Sequence, residues 1–118
     1  MENVLYLVIP CYNEEEVLPE TSTRLQKKMT DLIGRKKIDQ KSRIIFVNDG
    51  SKDKTWKLIE ELHQKDKIFG GINLSRNRGH QNALLAGLMT VKEHADMVIS
   101  MDADLQDDIK AIDEMVDK

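Results

Sequence analysis

The chain has 118 residues, 40% hydrophobic and 33% charged, the composition of a soluble globular domain with a small but real core. Its 18 basic and 21 acidic residues leave a net charge of −3, which gives no electrostatic case for nucleic acid as a partner. The single cysteine, Cys11, excludes an internal disulfide, no apolar stretch approaches a membrane helix, and the N-terminus lacks a signal-peptide pattern, so the expectation is a cytoplasmic protein.

Residues 4–9 (VLYLVI) form an unbroken apolar run, the pattern of a strand buried on both faces. In the segment PCYNEEEV that follows, Asn13 and Glu16 have the spacing of a capping box, which predicts a helix start. Val17, Leu18, Leu25, Met29 and Leu32 then recur at helical spacing, and Pro19 falls in or near the first turn, where a missing N–H costs little. Residues 34–41 (GRKKIDQK) are a solvated connector, too short a basic patch for membrane anchoring.

Residues 44–47 (IIFV) predict a second strand, closed by NDGSKDKT, and Trp56, Ile59 and Leu62 mark a second amphipathic helix. Asp53 and Thr55 are read as caps of that helix rather than as ligand contacts. Residues 68–74 form a weaker third strand because Gly70 and Gly71 interrupt it. SRNRGHQNALLAGL leads into a third helix, residues 97–101 predict a fourth strand, and another helix is expected from about Ile109. The alternation β-α-β-α-β-α-β-α predicts an α/β fold, a Rossmann-like parallel sheet with helices on both faces and right-handed crossovers.

In such a sheet, ligands bind beyond the carboxyl ends of the strands. All four predicted strands end in polar residues: Pro10, Cys11, Tyr12, Asn13, Glu14 and Glu15; Asn48 and Asp49; Arg76, Arg78 and His80; and Asp102, Asp104 and Gln106. A parallel sheet brings these to one edge, so the carboxylates of Glu14, Asp49, Asp102 and Asp104 are expected around one cleft. Glutamates at the first turn repel a bare pyrophosphate, and GxGxxG is missing, so the usual dinucleotide site is excluded. An acidic cleft holds a diphosphate through a divalent cation. In an extended segment, residues 102, 104 and 106 point to one side. Their hard oxygen donors suit Mg²⁺ or Mn²⁺. His80 is open between a surface histidine and a phosphate contact, and Cys11 has no base beside it that would make it a nucleophile.

Taken together, VIPCYNEEE (8–16), VNDGSKDKT (47–55), NRGHQNALLAG (77–87) and MDADLQD (101–107) resemble the N-terminal half of a family 2 glycosyltransferase with a GT-A fold. The branch it resembles most includes dolichyl-phosphate mannose synthase and bacterial polyprenyl-phosphate glycosyltransferases. The resemblance implies a nucleotide-sugar donor (UDP- or GDP-linked) and a polyprenyl phosphate or saccharide acceptor, with inversion at the transferred sugar. It also implies that Pro10, Tyr12 and Glu14 line the nucleoside pocket and that Asp49 contacts the base. Asp102 then lies near ribose and metal, while Asp104 and Gln106 bind the metal. A phosphate acceptor needs no protein base.

Relatives commonly follow this last motif with two prolines and a glutamate, whereas Asp108, Ile109 and Lys110 stand here. Because the family's acceptor-binding half follows this motif, the chain is expected to be a C-terminally truncated part of a longer protein, inactive alone. Self-association through an uncovered edge is also expected, with the full-length protein at the cytoplasmic face of the membrane. Two alternatives from other classes are a non-catalytic nucleotide-sugar-binding module and a phosphohydrolase of the haloacid dehalogenase type. The latter needs its DxD at the end of the first strand.

Overall fold

The computed structural model describes residues 3–74 and 79–103, together with Ile112 and Val116. The elements alternate as expected: β1 (Leu5–Cys11), α1 (Leu18–Gly34), β2 (Arg43–Asp49), α2 (Thr55–Lys65), β3 (Phe69–Leu74), α3 (His80–Val91) and β4 (Met97–Ser100). The strands form one sheet in the order β3-β2-β1-β4, and every pairing is parallel.

Side chains of β1 alternate between two cores, as strand geometry requires. Leu5, Leu7, Ile9 and Cys11 join Ile44 and Phe46 of β2 on one face, covered by Leu18, Leu25, Met29 and Leu32 of α1 and Ile59 of α2. Val8 and Val47 look to the other face, covered by Ala83 and Val91 of α3. Apolar residues on both sides explain why β1 and β2 read as continuous hydrophobic runs. Ile112, fully buried, and Val116 pack against the first of these cores at helical positions; the rest of the helix expected from Ile109 lies outside the described residues.

The order of strands fixes where a ligand belongs. The chain steps outward from β1 to β2 to β3, then α3 crosses to the opposite face and β4 pairs with the other side of β1. The direction therefore reverses between β1 and β4, and the loops leaving those two strands diverge. Such a switch point opens a crevice at the carboxyl edge of the sheet.

One expectation about the first helix needs correcting. The Asn13–Glu16 capping box does not form: α1 begins at Leu18 with Val17 at its cap position and no side-chain cap bond. Asn13 instead adopts φ 53°, and its side-chain oxygen accepts the N–H of Lys52. Pro19 sits in the first turn of α1, as its chemistry demands.

Candidate functional site

The residues singled out at the first two strand ends lie partly on the strands themselves. Pro10 and Cys11 are the last residues of β1 and pair with Val47 and Asn48, while Asn48 and Asp49 end β2 beside Asn73 and Leu74 of β3. Pro10 can occupy a strand because of where the ladder stops. On the side of β1 facing β4, the Met101 N–H donates to the Val8 carbonyl at 3.1 Å. Pro10 faces the same side two residues later, past the last β1–β4 pair, so its missing N–H leaves no ladder bond unmade.

Asp102 lies two residues past the end of β4 and is exposed, between buried Met101 and buried Ala103. Of residues 102, 104 and 106, expected to share one side, Asp102 is the one among the described residues. A buried bond holds this stretch: the Thr21 hydroxyl of α1 donates to the Ala103 carbonyl at 2.7 Å. Nothing in the sequence marks Thr21, which sits 82 positions from its partner on an ordinary helix face. Asp104 and Gln106, the other expected metal ligands, lie outside the described residues, as do Arg76 and Arg78. Among the described residues, no cluster of three or more His, Cys, Asp or Glu is placed to hold a metal ion. The backbone of His80 opens α3.

The β1–α1 and β2–α2 connections are laced together. The Asn13 N–H donates to Ser51 Oγ at 2.9 Å, and the Lys52 N–H returns a bond of 2.9 Å to Asn13 Oδ1. The Glu14 N–H donates to Thr55 Oγ1 at 2.8 Å, and the Glu15 N–H to Asp53 Oδ2 at 3.3 Å. Asp53 Oδ1 takes both the N–H and the hydroxyl of Thr55. Asp53 thus serves the start of α2 as expected, but also reaches across to the first loop. Gly50, at φ 68°, supplies the left-handed turn that sends the chain from Asp49 into this lacing.

Within this frame, Tyr12 is 40% exposed, Glu14 is half-buried, and Asp49 and Pro10 are buried. Asn48 Nδ2 donates to Asn73 Oδ1 at 2.8 Å, tying the ends of β2 and β3 together. Cys11 is buried; burial, aided by the Glu14 charge, pushes its thiol far above the usual range, and it points back to the Ile9 carbonyl. It is no nucleophile. Pro10 and Cys11 also end the first strand where a haloacid dehalogenase would carry its aspartate, which removes that alternative.

The arrangement matches known proteins in both sequence and shape. The family model described as "Glycosyl transferase family 2" matches residues 6–118. The chain belongs to glycosyl transferase family 2. It is 54% identical over 109 residues to the uncharacterized glycosyltransferase YkoT of Bacillus subtilis, covering 92% of this chain and 32% of that protein. It is 37% identical over 115 residues to the undecaprenyl-phosphate 4-deoxy-4-formamido-L-arabinose transferase of Proteus mirabilis, covering 97% of this chain and 33% of that one.

Two solved structures share the fold. TarS of S. aureus, in complex with UDP-GlcNAc, superposes with TM-score 0.63 at 22% identity, over 94% of this chain and 31% of that one. The mannosyltransferase PcManGT of Pyrobaculum calidifontis, in complex with GDP-Man and Mn²⁺, gives TM-score 0.61 at 19% identity over 88% of this chain and 28% of its own. The parallel sheet with alternating helices is therefore that of GT-A glycosyltransferases. The chain spans about a third of the length of these relatives.

Proposed function

We propose that residues 1–118 form the nucleotide-sugar-binding part of an inverting glycosyltransferase that moves a sugar from a UDP- or GDP-linked donor to a polyprenyl phosphate. The observation that carries this reading is positional. Pro10 to Glu14, Asp49 and Asp102 all stand at the carboxyl edge of one parallel sheet whose switch point falls between β1 and β4.

In this reading Tyr12 and Glu14 border the nucleoside, with Pro10 closing the pocket floor, and the Asp49 carboxylate accepts a base N–H. His80, at the opening of α3, stands near the phosphates. Asp102 faces ribose and cation, and Asp104 and Gln106 complete the cation's ligands. The donor set fits a divalent ion, since carboxylate and amide oxygens are the hard ligands that Mg²⁺ and Mn²⁺ take. When bound, such an ion supplies positive charge where the departing diphosphate becomes negative. An acceptor phosphate oxygen then attacks the anomeric carbon, the bond from that carbon to the diphosphate oxygen breaks, and the configuration inverts in one displacement. Because the acceptor is already an anion, no protein base has to take a proton.

Polyprenyl phosphate is favoured over a saccharide by relatives whose names state it. Besides the undecaprenyl-phosphate transferase, the bactoprenol glucosyl transferase of Shigella phage SfV is 38% identical over 114 residues. The complete protein, given radiolabelled UDP- and GDP-sugars in detergent, is expected to label undecaprenyl phosphate and to leave soluble saccharides unlabelled. Transfer to saccharides alone would assign the other acceptor class. Nucleotide-sugar binding without transfer to either would make the protein a binding module.

A further inference from the structure

We propose that Asp53 and Thr55 act as a positioning unit for the nucleoside pocket, holding the backbone of Asn13, Glu14 and Glu15 so that Tyr12 and Glu14 face the nucleotide. The proposal rests on the nucleotide-binding reading above and deepens it, since neither residue touches the ligand in that reading.

Three observations carry it. First, the bonds from the β2–α2 loop fall on consecutive amides of the segment that includes Glu14 and adjoins Tyr12. Glu14 N–H meets Thr55 Oγ1 at 2.8 Å, and Glu15 N–H meets Asp53 Oδ2 at 3.3 Å. Second, the donors and acceptors are used in an order that fixes direction. The single hydroxyl proton of Thr55 goes to Asp53 Oδ1, which leaves the Oγ1 lone pairs turned toward the Glu14 N–H. Thr55 is fully buried, so water does not compete for that oxygen.

Third, the segment makes a turn whose position depends on contacts from the second loop. Asn13 sits at φ 53°, the left-handed region that asparagine enters more readily than other non-glycine residues. The reciprocal pair with Ser51 and Lys52 secures it from one side, and Asp53 with Thr55 secures the following two residues. Helix α1 starts only at Leu18, so residues 12–17 belong to no regular element. A ligand pocket built on such a segment needs its first layer locked by a second, because small displacements of positioning groups cost binding and rate steeply.

Two readouts on the same variants test this. Amide hydrogen exchange at Glu14 and Glu15 reports the lacing with no ligand present, and calorimetric titration with UDP and GDP in Mn²⁺ reports the pocket. Thr55→Val and Asp53→Asn are expected to speed exchange at those amides and to weaken nucleotide binding about tenfold, while the α2 amides stay protected. Thr55→Ser keeps the hydroxyl and should restore both. If Thr55→Val fails to fold, the milder Asp53→Asn carries the test, since an amide keeps one oxygen for Thr55 but turns a donor toward Glu15. Wild-type affinity in a variant whose Glu14 and Glu15 amides exchange fast would overturn the positioning role alone. A wild type that binds neither nucleotide, with exchange responding as expected, would overturn the nucleotide reading and this role with it.

Discussion

Cys11 stands between two residues assigned to the nucleotide pocket, yet its chemistry is that of a core side chain. Buried, with burial and the neighbouring Glu14 charge both opposing thiolate formation, it should resist maleimide or disulfide reagents in the native protein and react at once in urea. Rapid native labelling would contradict the placement of β1. Asp53 is the opposite case. Burial works against its ionisation, but hydrogen bonds from the Thr55 hydroxyl, the Thr55 N–H and the Glu15 N–H outweigh it and hold the carboxyl below its usual range. A folded pKa below the unfolded one, about 4, stabilises the fold above that value, and the contribution fades as pH falls through the folded pKa. The urea midpoint of Asp53→Asn should therefore lie below wild type near neutrality, by a gap that narrows as pH falls below about 4. An equal gap above and below that pH would show that the carboxylate's charge is irrelevant.

At the scale of elements, α3 meets the sheet through Gly87, where backbone approaches the valines of β1 and β2. A methyl added there would stand 2.5 Å from Val8 Cγ1 and 2.8 Å from Val47 Cγ2. Both side chains are β-branched and stiff, so they cannot swing aside. Gly87→Ala should lose about 1–3 kcal/mol from overpacking, more than the roughly 1 kcal/mol gained in helix propensity. Gly34→Ala, with nothing within 4 Å of the new methyl, should be neutral or stabilising. Chemical denaturation of the two variants decides this, and a stabilised Gly87→Ala would mean that α3 stands off the sheet.

The elements also show what a sequence can and cannot reveal. Strands β1 and β2 were legible because burial on both faces leaves an unbroken apolar run, and the helices because their core faces repeat at 3.6. The capping box at Asn13 misled because an identical residue pattern satisfies a different partner: the Lys52 N–H, 39 positions away, takes the side-chain oxygen that a helix start would use. The bonds of Ser51 and Thr21 were illegible for the same reason, since they join distant segments. That Pro10, Tyr12, Glu14, Asp49 and Asp102 would meet at one edge was legible because a parallel sheet carries all its strand ends to the same side. The residues that hold them were not, apart from Asp53 and Thr55, whose helix-starting role alone was foreseen.

For the whole molecule, the parallel sheet and its switch point give one carboxyl edge, which is where the proposed function puts a nucleoside diphosphate held through a cation. Among the described residues no helix is long and apolar enough to cross a membrane. The chain spans about a third of the length of its relatives, and donor binding is the part of the proposed function that these residues can be asked about directly. The decisive measurement is a calorimetric titration of the chain with UDP and with GDP, in Mn²⁺ and then in EDTA, repeated on Asp104→Asn. Binding of one nucleotide in Mn²⁺, lost in EDTA and largely lost in the variant, is the predicted result. Equal affinity with and without the metal, unchanged by Asp104→Asn, would contradict the account.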